Sequence, residues 1–100
     1  MELKAKQMSD LLKVLANENR LLILCALLDG PKTVTALGAK MPNITQSALS
    51  QHLALLKAWG ILDHSKAGQS VTYSLADRRI EKVMAVLRET YCNDEEEPRR

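Results

Sequence analysis

A run of uncharged hydrogen-bonding side chains occupies one side of the segment 45–57. Ala48, Leu49, Leu53 and Leu56 fall on one stripe at helical spacing, so the segment is predicted to be an amphipathic helix. Side chains that donate and accept hydrogen bonds without carrying charge are suited to reading base edges in the major groove of a duplex. The segment is therefore predicted to be a recognition helix whose base-reading candidates are Gln46, Ser47, Ser50, Gln51 and His52.

The two cysteines, Cys25 and Cys92, are the other residues with chemistry of their own. Cys25 lies in an almost wholly apolar segment, where a small buried core residue is the more common reading. Cys92 precedes an acidic segment and is expected to be accessible. The cytoplasm is reducing, so a pair that bridges there is more typical of a switch than of a structural disulfide.

Enzymatic function is not expected from this chain. It contains no Cys-x-x-Cys, no glycine-rich phosphate loop, and no arrangement of Ser, His and Asp at usable spacing. No catalytic residue and no cofactor are assigned.

Length and charge favour a small binding module. One hundred residues make one domain. Between residues 30 and 76 four lysines face a single acid, Asp63, a bias that weakly favours a nucleic-acid partner. No apolar run approaches about 18 residues, and no signal peptide is evident, so a cytoplasmic protein is expected.

The elements around the segment 45–57 follow from caps and turns. A first helix is predicted over residues 3–15, and Asn17 is expected to cap a second helix that ends at Gly30-Pro31. Thr33 would cap a short third helix, and Thr45 would cap the recognition helix, which closes at Gly60. Short helix, tight turn and longer helix form the helix-turn-helix arrangement.

A hairpin and a last helix complete the predicted fold. Residues 61–66 and 71–75 are expected to form two strands, a wing beside the recognition helix. Asp77 would cap the last helix, whose apolar stripe, like that of the first helix, is a candidate dimer interface. The predicted class is mainly α with a small β-hairpin, with the domain over 1–92 and a charged, disordered tail over 93–100. Lys57 and Lys66 are candidate phosphate contacts, and Lys66 and Gln69 are the candidate contacts of the wing along the adjacent minor groove.

Three motifs in this order resemble the arsenic-repressor (ArsR) family of bacterial winged-helix regulators. They are Leu15-Ala16-Asn17-Glu18-Asn19-Arg20-Leu21-Leu22-Ile23-Leu24, then Gln46-Ser47-Ala48-Leu49-Ser50-Gln51-His52-Leu53, and finally Gly68-Gln69-Ser70-Val71-Thr72-Tyr73-Ser74-Leu75. The resemblance covers roughly residues 8–92. It implies a homodimer built from the first and last helices that binds an inverted-repeat operator in double-stranded DNA and leaves it when an effector arrives.

The effector implied depends on the branch of the family. The third helix lacks the Cys, His or acidic ligands of many metal sensors and the last helix lacks His, so no metal site is assigned. Cys25 and Cys92 resemble the two-thiol branch, which includes the biofilm growth-associated repressors and the haemolysin-gene regulator of vibrios. That branch implies a repressor released when reactive sulfur or an oxidant bridges or oxidises the two thiols. Two alternatives stay open: a metal-responsive repressor with non-standard ligands, such as Cys92 with the acidic tail, and a winged helix that binds protein.

Overall fold

The computed structural model describes residues 1–92 and, at Cys92, the backbone only. In chain order the elements are α1 (Glu2–Leu15), α2 (Glu18–Leu27), β1 (Lys32–Thr33), α3 (Val34–Ala39), α4 (Gln46–Ala58), β2 (Leu62–Ala67), β3 (Ser70–Leu75) and α5 (Arg78–Cys92). None of the helices in residues 1–92 is long and apolar enough to cross a membrane. The predicted class, a winged helix-turn-helix that is mainly helical, is confirmed. The tail predicted over 93–100 lies outside the described residues.

Side-chain caps start the helices where the sequence predicts them. Asn17 Oδ1 accepts hydrogen bonds from the backbone N–H groups of Asn19 (2.9 Å) and Arg20 (3.1 Å). Thr33 and Thr45 each accept from the N–H three residues later at 3.0 Å. These bonds satisfy donors that a helix leaves unpaired in its first turn, so the starts of α2, α3 and α4 are set by local chemistry.

The wing has the predicted hairpin and one strand that was not predicted. β2 and β3 pair antiparallel from Leu62 opposite Leu75 to Ala67 opposite Ser70. The connecting loop is Gly68-Gln69, and Gly68 has the positive φ (62°) that a type II′ turn requires at its first central position. On the other side of β3, Lys32–Thr33 adds β1. A strand of two residues is too short for an alternating pattern, so only the open edge of β3 creates it.

The core between the helices and the sheet is entirely apolar among the described residues. Its fully buried side chains come from α2, α3, α4, the start of the wing and α5, and they are Ile23, Leu24, Leu37, Leu49, Leu53, Leu56, Ile61 and Ile80. The first helix contributes only Val14 and Leu15 to the buried set. Two large apolar side chains stay outside this core: Leu22 of α2 is 50% exposed, and Trp59, at the end of α4, is 45% exposed.

A Schellman motif ends α4 at Gly60, the residue at which the sequence predicts that the helix closes. Gly60 N–H donates to the Lys57 carbonyl at 2.9 Å, and Ile61 N–H donates to the Leu56 carbonyl at 3.0 Å. Gly60 has φ +76°, the left-handed conformation that this motif needs. Ile61 and Leu56 are both fully buried, so the turn directs the chain from the recognition helix straight into the wing.

Replacing Gly60 with Ala should lower the free energy of unfolding by about 1 kcal/mol, because a Cβ is disfavoured in the left-handed conformation. The added Cβ would meet no atom within 4 Å, so the cost is conformational and not a clash. Urea unfolding followed by circular dichroism measures the change.

The matched control is Gly38→Ala in α3. Its Cβ would lie 3.7 Å from Leu49 Cδ2, an ordinary contact, and Gly38 has no positive φ. This variant should be neutral or more stable, by up to about 1 kcal/mol, because Ala favours the helix. Equal destabilisation by the two substitutions would contradict the assignment of Gly60 to a strained position.

Candidate nucleic-acid interface

One side of α4 anchors the helix and the other side is open. Leu49, Leu53 and Leu56 are at most 1% exposed. The predicted base-reading side chains Gln46, Ser47, Ser50 and Gln51 are all exposed. The structure therefore brings four of the five candidates together on the accessible part of the helix, where they do not take part in core packing. Contact with DNA stays a prediction for each of them.

The helix preceding α4 packs closely against it. Gly38 approaches Leu49 so nearly that an added Cβ would be in van der Waals contact with the leucine side chain. Met41, in the connecting turn, is buried, and the turn closes with the Ile44 N–H donating to the Met41 carbonyl at 3.2 Å. These contacts hold α3 and α4 as one helix-turn-helix unit.

His52 differs from the other candidates because it faces the interior of the protein. It is half-buried, and its Nδ1 accepts a hydrogen bond from Arg20 Nε at 3.3 Å. Burial, and secondarily the charge of Arg20, lowers the pKa of His52 below its ordinary value. A neutral imidazole that accepts at Nδ1 carries its proton on Nε2. The ring is therefore held in one tautomer by α2.

Arg20 contributes to this site, although it is not among the candidate residues predicted from the sequence. Its Nη1 donates to the Val14 carbonyl at 2.9 Å, while its Nε donates to His52. Charged residues are rarely buried without a partner. The arginine at the start of an apolar helix was therefore the sequence feature that could have indicated a polar contact at this position. Its partners lie six and thirty-two residues away, and no local pattern identifies them.

The three candidate contacts outside the base-reading set are all accessible. Lys57 is exposed in the last turn of α4, Lys66 is exposed in β2, and Gln69 is exposed in the turn of the wing. Within the wing, His64 and Tyr73 form a cross-strand pair whose ring centroids are 5.4 Å apart.

The first cysteine lies where α2 meets α5. Cys25 is half-buried and lines a groove of about 480 Å³ between the two helices, together with apolar side chains such as Leu22, Leu87 and Tyr91. Arg88 on α5 donates to Asp29 Oδ1 at 3.0 Å and to the Cys25 carbonyl at 3.5 Å, so it links α5 to the C-terminal part of α2.

The second cysteine ends α5. Position 92 follows Met84 and Arg88 at intervals of four residues, and residues at this spacing share a helical face. Met84 is buried and Arg88 contacts α2, so this face of α5 is directed at α2 as far as Arg88, one turn before Cys92. Its side chain lies outside the described residues.

The described residues hold no group of three or more His, Cys, Asp or Glu that could bind a metal ion. The alternative site made from Cys92 and the acidic tail lies outside residues 1–91, where side chains are described.

Comparison with known proteins gives matches over this same region. The family model described as "Bacterial regulatory protein, arsR family" matches residues 17–64. The transcriptional activator HlyU of Vibrio cholerae is 43% identical over 82 residues, which cover 82% of this chain and 75% of that protein. The biofilm growth-associated repressor of Agrobacterium fabrum is 35% identical over 96 residues, covering 96% and 81%. The structure of reduced HlyU from Vibrio cholerae superposes with a TM-score of 0.87 at 40% identity, covering 92% of this chain and 96% of that one.

Proposed function

The chain belongs to the arsR family of bacterial regulatory proteins, and on this premise we propose that it is a homodimeric repressor controlled by two thiols. Membership makes it a DNA-binding transcriptional regulator and not an enzyme. In the proposed mechanism the reduced dimer binds an inverted-repeat operator in the cytoplasm, where the chromosome lies. Oxidation of Cys25 and Cys92, or a sulfur bridge between them, then weakens that binding.

The observation that carries base reading is the exposed, uncharged face of α4. Gln46, Ser47, Ser50 and Gln51 project from the first two turns of a helix whose opposite side is buried. Gln can bond the N6 and N7 edge of adenine in a bidentate manner, and Ser can bond several bases. The major groove admits one helix, and the N-terminal turns of a recognition helix are the part that reaches base edges.

The exposed cations fit contacts with the DNA backbone. Lys57 lies exposed at the end of α4, Lys66 lies exposed in the wing, and Gln69 lies at the tip of the wing. Phosphate contacts position a protein without reading sequence. We assign Lys57 and Lys66 to phosphates and Gln69 to the backbone or the adjacent minor groove.

Unpartnered apolar faces on α1 and α5 support the dimer. On α1, Leu3, Met8 and Leu12 are between 53% and 70% exposed, and on α5, Val86 and Tyr91 are 61% and 70% exposed. A helix of fourteen residues that packs mainly through its last turn is marginal in water without a further partner. A second copy that covers both helices would bury these side chains and stabilise α1.

The contact between α2 and α5 supports the thiol response. Cys25 lines the groove between the two helices, and Cys92 is the last residue of α5, four residues after Arg88, which contacts α2. A direct disulfide requires Cα atoms within about 7 Å, whereas an inserted sulfur atom spans a wider gap. Either bridge would tie the proposed dimer helix to the domain that carries α4. One structure of the relative HlyU from Vibrio cholerae is of the reduced protein.

Val86→Asp should dissociate the dimer, because two-fold symmetry would bury two unpaired carboxylates. We expect the dimer dissociation constant to rise about 100-fold, equivalent to about 3 kcal/mol, in sedimentation equilibrium. Ala54→Asp, which adds the same charge to an exposed position on α4, is the control and should stay dimeric. A Val86→Asp protein that associates like the wild type would refute the interface.

Gln46→Ala and Ser50→Ala should each weaken operator binding about tenfold, within the 1–3 kcal/mol of a good base contact, and leave non-specific binding unchanged. Lys57→Gln should weaken both kinds of binding and reduce the salt slope by about 1. Duplexes selected from a random pool by the wild type supply the operator, and a scrambled duplex supplies the reference. Unchanged operator affinity in Gln46→Ala and Ser50→Ala would favour the protein-binding alternative.

Treatment of the reduced protein with polysulfide should lower operator affinity about 5- to 150-fold, as expected for a coupling of about 1–3 kcal/mol. Cys25→Ser and Cys92→Ser should each abolish the response. Mass spectrometry should find an intrachain bridge that joins the two cysteines with the loss of two hydrogens, either directly or with one or more inserted sulfur atoms. In both cases the polysulfide is the two-electron oxidant and is itself reduced to sulfide.

Parallel treatments with peroxide and with zinc distinguish the possible effectors. A response of the double Cys→Ser variant to polysulfide would place the sensor elsewhere. Loss of binding with zinc that a chelator reverses, in the absence of any thiol oxidation, would instead support the metal-responsive alternative.

A further inference from the structure

We propose that Arg20 is a positioning residue for DNA recognition, which orients α4 through His52 relative to the last turn of α1. The inference rests on the proposed function, because it concerns the placement of the helix that would read DNA. It assigns His52 to the support of the recognition helix and not to its base-reading face.

The guanidinium of Arg20 is held at two points that lie on different helices. Nη1 donates to the Val14 carbonyl at 2.9 Å, and Nε donates to His52 Nδ1 at 3.3 Å. The backbone N–H of the same residue is fixed by Asn17 Oδ1 at 3.1 Å. Because guanidinium is planar and its donors are fixed in direction, these bonds constrain the distance and the angle between α1 and α4 together.

The bond to Val14 matters because α1 has few other attachments. Carbonyl groups in the last turn of a helix lack helical partners, and a cation near that end interacts favourably with the helix dipole. Only Val14 and Leu15 of α1 are buried. A charge-assisted bond from Arg20 to this last turn is therefore a directional constraint on a helix whose contacts with the core are otherwise apolar, through Val14, Leu15 and the partly buried Leu11.

The position of His52 on α4 separates it from the reading face. His52 lies beside the buried stripe, since it precedes Leu56 by four residues and is half-buried, whereas Ser47 lies five residues before it and is exposed. Its Nδ1 lone pair is occupied by Arg20. His52 therefore serves as a hydrogen-bond acceptor for Arg20 on the side of the recognition helix that faces α2.

The geometry of a two-fold complex makes this constraint consequential. Two recognition helices must enter successive major grooves about 34 Å apart. If α1 forms the dimer interface, any rotation of α4 relative to α1 changes that spacing in both subunits. Hydrophobic forces resist separation of the helices but are not directional. The hydrogen bonds through Arg20 therefore add a restraint on the angle between α1 and α4.

Three variants separate positioning from base contact and from simple stability. His52→Asn places an acceptor, Oδ1, near the position of Nδ1 but removes the distal edge of the ring. His52→Leu keeps the volume and removes the acceptor. Arg20→Lys keeps the charge but loses the planar fork that bonds in two directions.

Each reduced variant is titrated with the selected operator and with the scrambled duplex, at a temperature well below the lowest unfolding midpoint. Dimer mass is measured alongside. We expect His52→Asn to bind the operator within about threefold of the wild type. His52→Leu and Arg20→Lys should lose at least tenfold in operator affinity while they remain dimeric. The double variant that carries His52→Leu and Arg20→Lys should bind the operator no more weakly than the weaker of the two single variants, because both changes break the same link.

Several results would overturn the inference. Equal losses in His52→Asn and His52→Leu would mean that His52 contacts DNA itself. Wild-type operator affinity in Arg20→Lys and His52→Leu, with only a lower unfolding midpoint, would reduce the pair to a stabilising contact. If His52→Leu does not fold, Arg20→Lys and His52→Asn still decide between these outcomes. A wild-type protein that selects no duplex would refute the proposed function, a result that is distinct from any pattern among the variants.

Discussion

The packing of α4 against α2 is the contact on which the rest of this structure depends. Ile23 and Leu24 of α2 and Leu49, Leu53 and Leu56 of α4 are all at most 1% exposed and belong to one apolar core. Burial of such side chains contributes about 1.5–3 kcal/mol each. It also commits one side of α4 to the interior, and as a result the polar side chains of that helix are presented together to the outside.

Apolar packing and hydrogen bonding have different tasks here. The apolar core fixes which side of each helix is buried, although dispersion and hydrophobic forces are not themselves directional. Directional restraints are added by the caps, by the Schellman turn at Gly60, and by the bonds that Arg20 donates to Val14 and His52. In a small domain with an entirely apolar core among its described residues, polar links at the edge of that core therefore complement the packing.

Reading and sensing occupy separate parts of the chain. The exposed face of α4 carries amides and hydroxyls that match base edges but no group that reacts with sulfur or oxidant. Cys25 lies at the junction of α2 and α5, where Arg88 already links the two helices through Asp29 and the Cys25 carbonyl. Under the proposed function, a signal at this junction acts on DNA binding by moving helices, and the chemistry of the reading surface stays the same.

The sequence by itself determined the features that depend on near neighbours. The caps Asn17, Thr33 and Thr45, the glycine that ends α4 and the alternation in the wing all act within a few residues, so the helix-turn-helix and its exposed face were predictable. Tertiary structure alone decided the pairing of Lys32–Thr33 with β3, the exposure of Leu22 and Trp59, and the partners of Arg20 and Arg88. Arg20 meets His52 across thirty-two residues and Arg88 meets Asp29 across fifty-nine. Such contacts depend on how the helices are arranged in space, and the period and chemistry of a single segment contain no record of that arrangement.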